Sequence, residues 1–565
     1  MKKLFFGAFA LFVSMAMAQE NDSEVTITDS NRNKVNVTQA GDRNNSEVNV
    51  LNSSDANKVR VTQMQLKNRS NVKVTKDANR NDVRVRQNGE RNRSNVTVRK
   101  NSSANEVKSK QVGYKNRSNI LVNRDSDRNG VKVVQRGEEN NMDVDVDNTA
   151  DNNDVDAFQK GEGNKASIDI DDDSDGNDVT TMQIGDGNEI NMGGYSGIEE
   201  NSDRNSVDIL QKGDVNYSEV DIDDESDSNT VMNYQFGENQ YSEIDIDEDS
   251  DRNDVKVVQR GSSNESDVDL LWDADGNDVV VRQKSSDNWS LVYADEADDN
   301  KVRVRQRGAE NISAVLLMSG ADDNTVKVAQ TGDNNAAVSW NGMDSDDNSV
   351  SISQAGVYSL AISANVMGAS NNTTTIAQGP GTEGNLALAI AAGNGNTASI
   401  DQDALIQGVL NAGVTIQLGN NNDAAITQRG SLNLGIAFQS GNRNSATLTQ
   451  TGPFNLNAAV QTGNRNTATA SQVGGGNFAY VNQAGNGNRS SAMQMGADND
   501  SRTVMLGNRD MSTVMQTGDE NFSRVRFEDS ARNKVSVTQM GMGNTSNVSI
   551  MSGNANDVTV LQSGM

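Results

Sequence analysis

The chain has 565 residues, no cysteine, no histidine, two prolines and a formal net charge of −29, with 34% hydrophobic and 4% aromatic residues. Without His or Cys it has no Ser-His or Cys-His nucleophile, no disulfides and no zinc site of the usual ligands. An acidic balance with few aromatics argues against a nucleic-acid partner, and no glycine-rich phosphate loop is present.

Residues 1–18 read as a secretory signal peptide. Lys2 and Lys3 precede an apolar run from Leu4 to Met17, too short to span a membrane comfortably, and Ala16-Met17-Ala18 offers a cleavage site before Gln19. No second apolar run of spanning length follows, so a secreted, extracellular protein without a transmembrane segment is expected.

From there a repeat dominates. Glutamine stands at Gln39, Gln63, Gln87, Gln111, Gln135, Gln159 and Gln183, each 24 residues after the last. Asn33, Asn57 and Asn81 keep the same phase, as do Val35, Val59 and Val83. Within a unit, Asn33, Val35, Val37, Gln39 and Gly41 are spaced by two, the period of a strand with one buried face. A three-residue step from Gly41 to Asn44 marks a turn, and Ser46, Val48 and Val50 resume the alternation. The expected fold is all-β: a β-solenoid, or cross-β stack, of about 23 strand-turn-strand rungs, roughly 110 Å long at strand spacing. Each buried amide would donate to its copy in one neighbouring rung and accept from the other. Helical spacing is absent, and a disordered chain would not hold Val and Gln in phase for so long.

Outward positions change character along the chain. Units to about residue 136 are basic, units from about 143 to 350 acidic, and units beyond 380 nearly uncharged. The charges read as solvated faces that keep the stack soluble. Two places break the phase: a 28-residue step between Gln183 and Gln211, near Gly193 to Gly197, and the interval from Gln378 to Gln417, which opens on Gly379-Pro380-Gly381. The expected organisation is therefore a signal peptide (1–18), a solenoid of 24-residue units (19–378), an irregular junction (379–416) and a solenoid of 22- to 23-residue units (417–565).

An aspartate column lies eight residues before successive glutamines and includes Asp203, Asp227 and Asp251. Stacked carboxylates repel by roughly 1 kcal/mol even in water-like surroundings. They suit either a turn in which each Asp caps backbone N–H groups or Ca2+ held between rungs. No other cofactor is expected. Identically recurring carboxylates do not make the unequal pair that catalysis needs, so no enzyme activity is expected. No threonine column of the kind ice-binding solenoids use is evident.

From Gln417 the glutamines recur every 11 residues, at Gln417, Gln428, Gln439, Gln450, Gln461, Gln472, Gln483 and Gln494, each with Gly two later and Asn five later. Ala446, Ala459, Ala468, Ala470, Ala479 and Ala492 occupy inward positions. This stretch resembles the curlin repeat of bacterial curli fibres, written Ser-x5-Gln-x-Gly-x-x-Asn-x-Ala-x3-Gln. The earlier units are similar but carry Val or Ile in place of the second-strand Gln and Ala. The resemblance implies a curli-like amyloid fibre subunit at a bacterial surface, supporting adhesion and biofilm matrix as a homopolymer. It also implies a nucleator subunit and an outer-membrane secretion pore as partners, although the Gly-rich leader of curli subunits is not seen before the first rung. The other expectation is a monomeric secreted solenoid, an adhesin or binding rod stabilised by Ca2+.

Overall fold

The computed structural model describes residues 20–193, 197–342, 344–403 and 408–564. The expected signal peptide at 1–18 lies outside these residues, as do Gly194, Tyr195 and Ser196 of the expected loop. Every regular element among the described residues is a β-strand, and no helix is long and apolar enough to cross a membrane. The chain divides into two compact units, Met1–Asp273 and Ala274–Met565.

In the N-terminal unit each rung contributes two strands, such as Lys34–Asp42 and Asn45–Leu51, followed by Lys58–Leu66 and Arg69–Thr75 in the next rung. First strands pair in parallel with first strands, Val35 on Val59 and Gln39 on Gln63, then Val59 on Val83 and Gln63 on Gln87. Second strands pair likewise, with Val48 on Val72. Parallel neighbours need a crossover connection. Here the other strand of the rung is the crossover, and the chain winds as a β-solenoid. Val59, Val61, Val72 and Val74 point inward and are at most 1% exposed. Burying each such valine contributes on the order of 1.5–3 kcal/mol, and the polar residues alternate to the outside.

The C-terminal unit has the same two parallel sheets, with shorter turns. Ser445–Thr451 lies on Thr467–Val473, and Leu456–Thr462 on Phe478–Ala484. Small residues fill its core, including Ala446, Ala459, Ala468, Ala470, Ala479 and Ala492.

Both expected interruptions have structure. After Glu189–Met192 the chain returns at Ile198, which bridges Ile170 and Ile222 and is fully buried. One inward side chain, Ile198, thus carries the stack on after the step. The segment 379–416 differs from the irregular junction expected. Leu386–Ala392 and Thr397–Asp403 pair in register with strands on both sides. Connection lengths change here, so that second strands step by 26 residues while Gln402 still follows Gln378 by 24, and part of one connection pairs as Thr382–Glu383 with Gly408–Val409. The strands themselves keep their alignment.

Tight corners impose left-handed backbone just before the corner asparagine. Arg43, Lys67 and Arg91 have φ of 54°, 54° and 57°, and so do residues as unsuited as Val215, at 57°. A β-branched side chain there is strained by about 1–2 kcal/mol. Val215 is 58% exposed, so its side chain gains little in return. Val215→Asn is expected to stabilise the chain by about 1 kcal/mol, read as a raised denaturation midpoint. An unchanged or lowered midpoint would refute this reading of the corner.

Candidate functional site

The repeat builds one site many times over. Gln39 Nε2 donates to Gln63 Oε1 at 2.8 Å, Gln63 to Gln87 at 2.8 Å, Gln87 to Gln111 at 2.8 Å and Gln111 to Gln135 at 2.8 Å. Gln135 continues to Gln159 at 2.9 Å and Gln159 to Gln183 at 2.8 Å. The 28-residue step leaves the ladder intact, with Gln183 donating to Gln211 at 2.9 Å. Gln63 through Gln183 are at most 1% exposed, whereas Gln39, in the first rung, is half-buried. In the C-terminal unit Gln354 reaches Gln378, Gln378 reaches Gln402 and Gln402 reaches Gln428, at 2.9, 2.9 and 2.8 Å. Gln402 keeps the 24-residue step from Gln378, and the step lengthens to 26 residues only from Gln402 to Gln428. Gln428 donates to Gln450 at 2.9 Å and Gln450 to Gln472 at 3.3 Å.

The 11-residue spacing places a second glutamine ladder on the opposite sheet. Gln417 donates to Gln439, Gln439 to Gln461 and Gln461 to Gln483, at 3.0, 2.8 and 2.9 Å. This ladder is short. Ala391 stands in register before Gln417, whose buried Oε1 has no partner, and Gln483 meets the sulfur of Met505.

Each glutamine also ties the two sheets together. Gln63 Nε2 donates to the Asn45 carbonyl at 2.9 Å, and Gln428 Nε2 to the Ala412 carbonyl at 2.9 Å. The asparagine corners run in the opposite sense. The Asn57 backbone N–H donates to Asn33 Oδ1 and that of Asn81 to Asn57 Oδ1, both at 2.8 Å. Asn57 Nδ2 reaches the Ala78 carbonyl of the following rung. These bonds satisfy buried amides that would otherwise be expensive to desolvate. They also give the stack a direction: glutamine donors face the C-terminal side.

The aspartate column caps the other corner. Asp203 Oδ1 accepts from the Asp175 N–H at 2.6 Å, Asp227 Oδ1 from the Asp203 N–H at 2.6 Å, and Asp251 Oδ1 from the Asp227 N–H at 2.7 Å. Arg204 donates to the second oxygen of Asp227 at 3.0 Å. Asp203, Asp227 and Asp251 do not converge with other acidic groups on a common point among the described residues. The groups that do are Glu200, Asp223 and Asp224, and Asp224, Asp247 and Glu248, whose ligand oxygens lie within 4.8 Å of one another.

A further row of carboxylates lies on the outward side of the second strands in the N-terminal unit. Desolvation, reinforced by neighbouring carboxylates, pushes Asp145, Asp221 and Asp269 up to about 8 and Asp245 up to about 6. Folding thus favours their protonated forms. Their contribution is full below the unfolded value near 3.9 and is lost as pH rises towards about 8. The chain is expected to melt higher at pH 5 than at pH 8.5, with the gap reduced by Asp145→Asn and Asp221→Asn together. A melting temperature that rises with pH would exclude this account.

The first strands of the C-terminal unit carry an outward column that mixes threonine with serine, not a column of threonine alone. Thr447, Thr469, Ser491, Thr513, Ser536 and Thr559 stack in register on the outward face. A hydroxyl column is therefore present. Mixing Ser with Thr hides it from a search for threonine alone.

The curlin associated repeat matches the chain at residues 419–452 and 463–496. No curated protein matches the chain.

Proposed function

We propose that this chain, which carries the curlin associated repeat in its C-terminal unit, is a secreted, non-enzymatic structural subunit of curli-like amyloid fibres at a bacterial surface, with a role in adhesion and biofilm matrix. The observation that carries the reading is the one-way amide ladder. At the C-terminal side Gln539 donates to Gln562, and Gln562 Nε2 turns to the Thr545 carbonyl. Val548, Ile550, Val558 and Val560 around it are only partly buried. A second copy presenting its Gln39 rung continues the glutamine ladder and the strand pairing in the same direction. A nucleating subunit and an outer-membrane pore complete the proposed set of partners.

The test is assembly of residues 19–565 without cofactor. Concentration-dependent thioflavin fluorescence and a fibre reflection near ~4.8 Å are expected. A monomer persisting at high concentration would refute fibre formation and favour the second reading, an adhesin or binding rod.

Cation stabilisation belongs to that second reading and is favoured by the carboxylates gathered around Asp224. Ca2+ takes six to eight oxygen ligands in flexible geometry, whereas Mg2+ demands a tight octahedron. At matched ionic strength, Ca2+ is expected to raise the melting temperature more than Mg2+ does, and Asp224→Asn to remove the difference. Equal effects of both ions would reduce the phenomenon to screening.

A further inference from the structure

The outward side of the second strands in the C-terminal unit is apolar over a long run. From Ile312–Met318 through Phe478–Ala484, the second strand of each rung contains no charged residue. One outward column reads Leu316, Trp340, Ala364, Ile390, Ile416 and Phe438, paired residue on residue. A neighbouring column continues with Ile362, Leu388, Val414 and Ile436. Trp340 is 36% exposed and Leu386, at the strand edge, 38%. The corresponding positions of the N-terminal unit carry Asp145, Asp169, Asp221 and Asp245, so the apolar surface is confined to one unit.

Strand spacing and rise give this face roughly 38 Å by 23 Å, on the order of 900 Å2. The largest apolar patch on a typical monomer is about 300–600 Å2, whereas a stable protein–protein interface covers about 800 Å2 on each partner. The composition selects the occupant. Between Gly308 and Gln428 the only Lys or Arg is Lys327, which lies on the other sheet, in Thr325–Thr331. A surface built to sit on anionic lipid carries basic residues along its rim; this one has none beside the five second strands from Ile312–Met318 to Ala412–Leu418, and Arg443 and Arg465 stand only at the corners closing Leu434–Ser440 and Leu456–Thr462. Flat rows at strand spacing, with Ala364 between Trp340 and Ile390, suit a second set of rows at the same spacing.

We propose that two copies of this chain pair laterally through this apolar face, sheet on sheet, with the hydroxyl column of the other sheet left to solvent. The pairing rests on the fold and not on end-to-end growth, so the two can fail separately.

The experiment uses the full chain from Gln19. Sedimentation of unassembled chain is expected to give a dimer, and fibres are expected to show twice the mass per length of a single stack. Ile390→Lys with Phe438→Lys changes two outward side chains and is expected to halve both values while leaving the far-ultraviolet dichroism unchanged. Ile390→Thr with Phe438→Thr, which puts a strand-favouring β-branched residue at both positions, is the second variant should the lysines prevent folding, and it is expected to weaken the dimer at least tenfold. A wild-type monomer with single-stack fibres would overturn the proposal, and so would variants that stay paired. Flotation of wild-type monomer with phosphatidylcholine–phosphatidylglycerol vesicles would assign the face to lipid and overturn it too. Wild-type dimers without fibres would uphold the pairing while refuting end-to-end assembly.

Discussion

Leucine at Gln450, Gln461 and Gln472 is expected to destabilise the C-terminal unit by roughly 3–6 kcal/mol and to slow assembly strongly. Gln450 Nε2 serves the Leu434 carbonyl at 3.0 Å, the Asn455 carbonyl at 2.8 Å and Gln472 Oε1 at 3.3 Å. Gln461 serves the Ser445 carbonyl and Gln483, both at 2.9 Å. The bonds to Asn455, Gln472 and Gln483 are buried and those to Leu434 and Ser445 partly so, so removing the amides leaves partners that water reaches poorly or not at all, at about 1–3 kcal/mol each. Leucine returns part of this through apolar burial, which is why the net figure stays below the sum. Arg443 and Arg465 provide the contrast. Both are exposed corner residues with φ of 58° and 57°, and alanine there is expected to change stability by less than about 0.5 kcal/mol. Denaturant midpoints and thioflavin lag times measure both sets. Equal effects from the two would mean that the ladders carry no more stability than the surface does.

Gly452→Ala is expected to be nearly as damaging, at about 3 kcal/mol. Gly452 has φ of +110°, and a Cβ built on it would stand 2.1 Å from the carbonyl oxygen of Gly474 in the next rung. That oxygen accepts from Asn455 Nδ2 at 2.9 Å. Relieving the clash therefore displaces backbone and breaks into the asparagine ladder as well. Gly543 separates the two effects. It has φ of +69° with nothing within 4 Å of its Cβ position, so Gly543→Ala should cost only the left-handed strain, about 1 kcal/mol. Similar losses at both positions would show that close approach between rungs is not what requires glycine.

The two glycines illustrate how much of this protein was legible in its residues. Gly41 and Gly452 mark turns in any reading of the repeat, because period-two alternation stops there. That the turn must be glycine because the next rung's carbonyl lies against it is a fact of stacking. The aspartates show the same division. Asp203, Asp227 and Asp251 were visible as a column with two candidate roles, and the hydrogen bonds from Asp175, Asp203 and Asp227 show the capping geometry directly. The acidic groups that do converge, around Asp224, belong to a different part of the turn; Glu200, Asp224 and Glu248 recur every 24 residues, but mixing Glu with Asp hides them from a search for aspartate alone.

By itself the sequence determined which residues lie above one another. A fixed period in Gln, Asn and Val admits one arrangement, since strand alternation sets the inward side and identical residues stack only when the rung length equals the period. It determined the fold class and the amide ladders on that ground. Tertiary structure decided what depends on path and neighbours. The ladder passes from Gln402 to Gln428 although that step lengthens to 26 residues, because hydrogen bonding aligns strands and leaves connections free in length. The second ladder stops at Ala391 and Met505, because a glutamine without a polar neighbour in its column has nothing to bond. Val215 accepts a left-handed corner because the stack fixes that backbone, whatever the side chain prefers. The apolar face between Ile312 and Ala484 emerged only when outward residues of separate rungs were brought side by side. Each strand alone reads as ordinary alternation, and area is a property of the sheet.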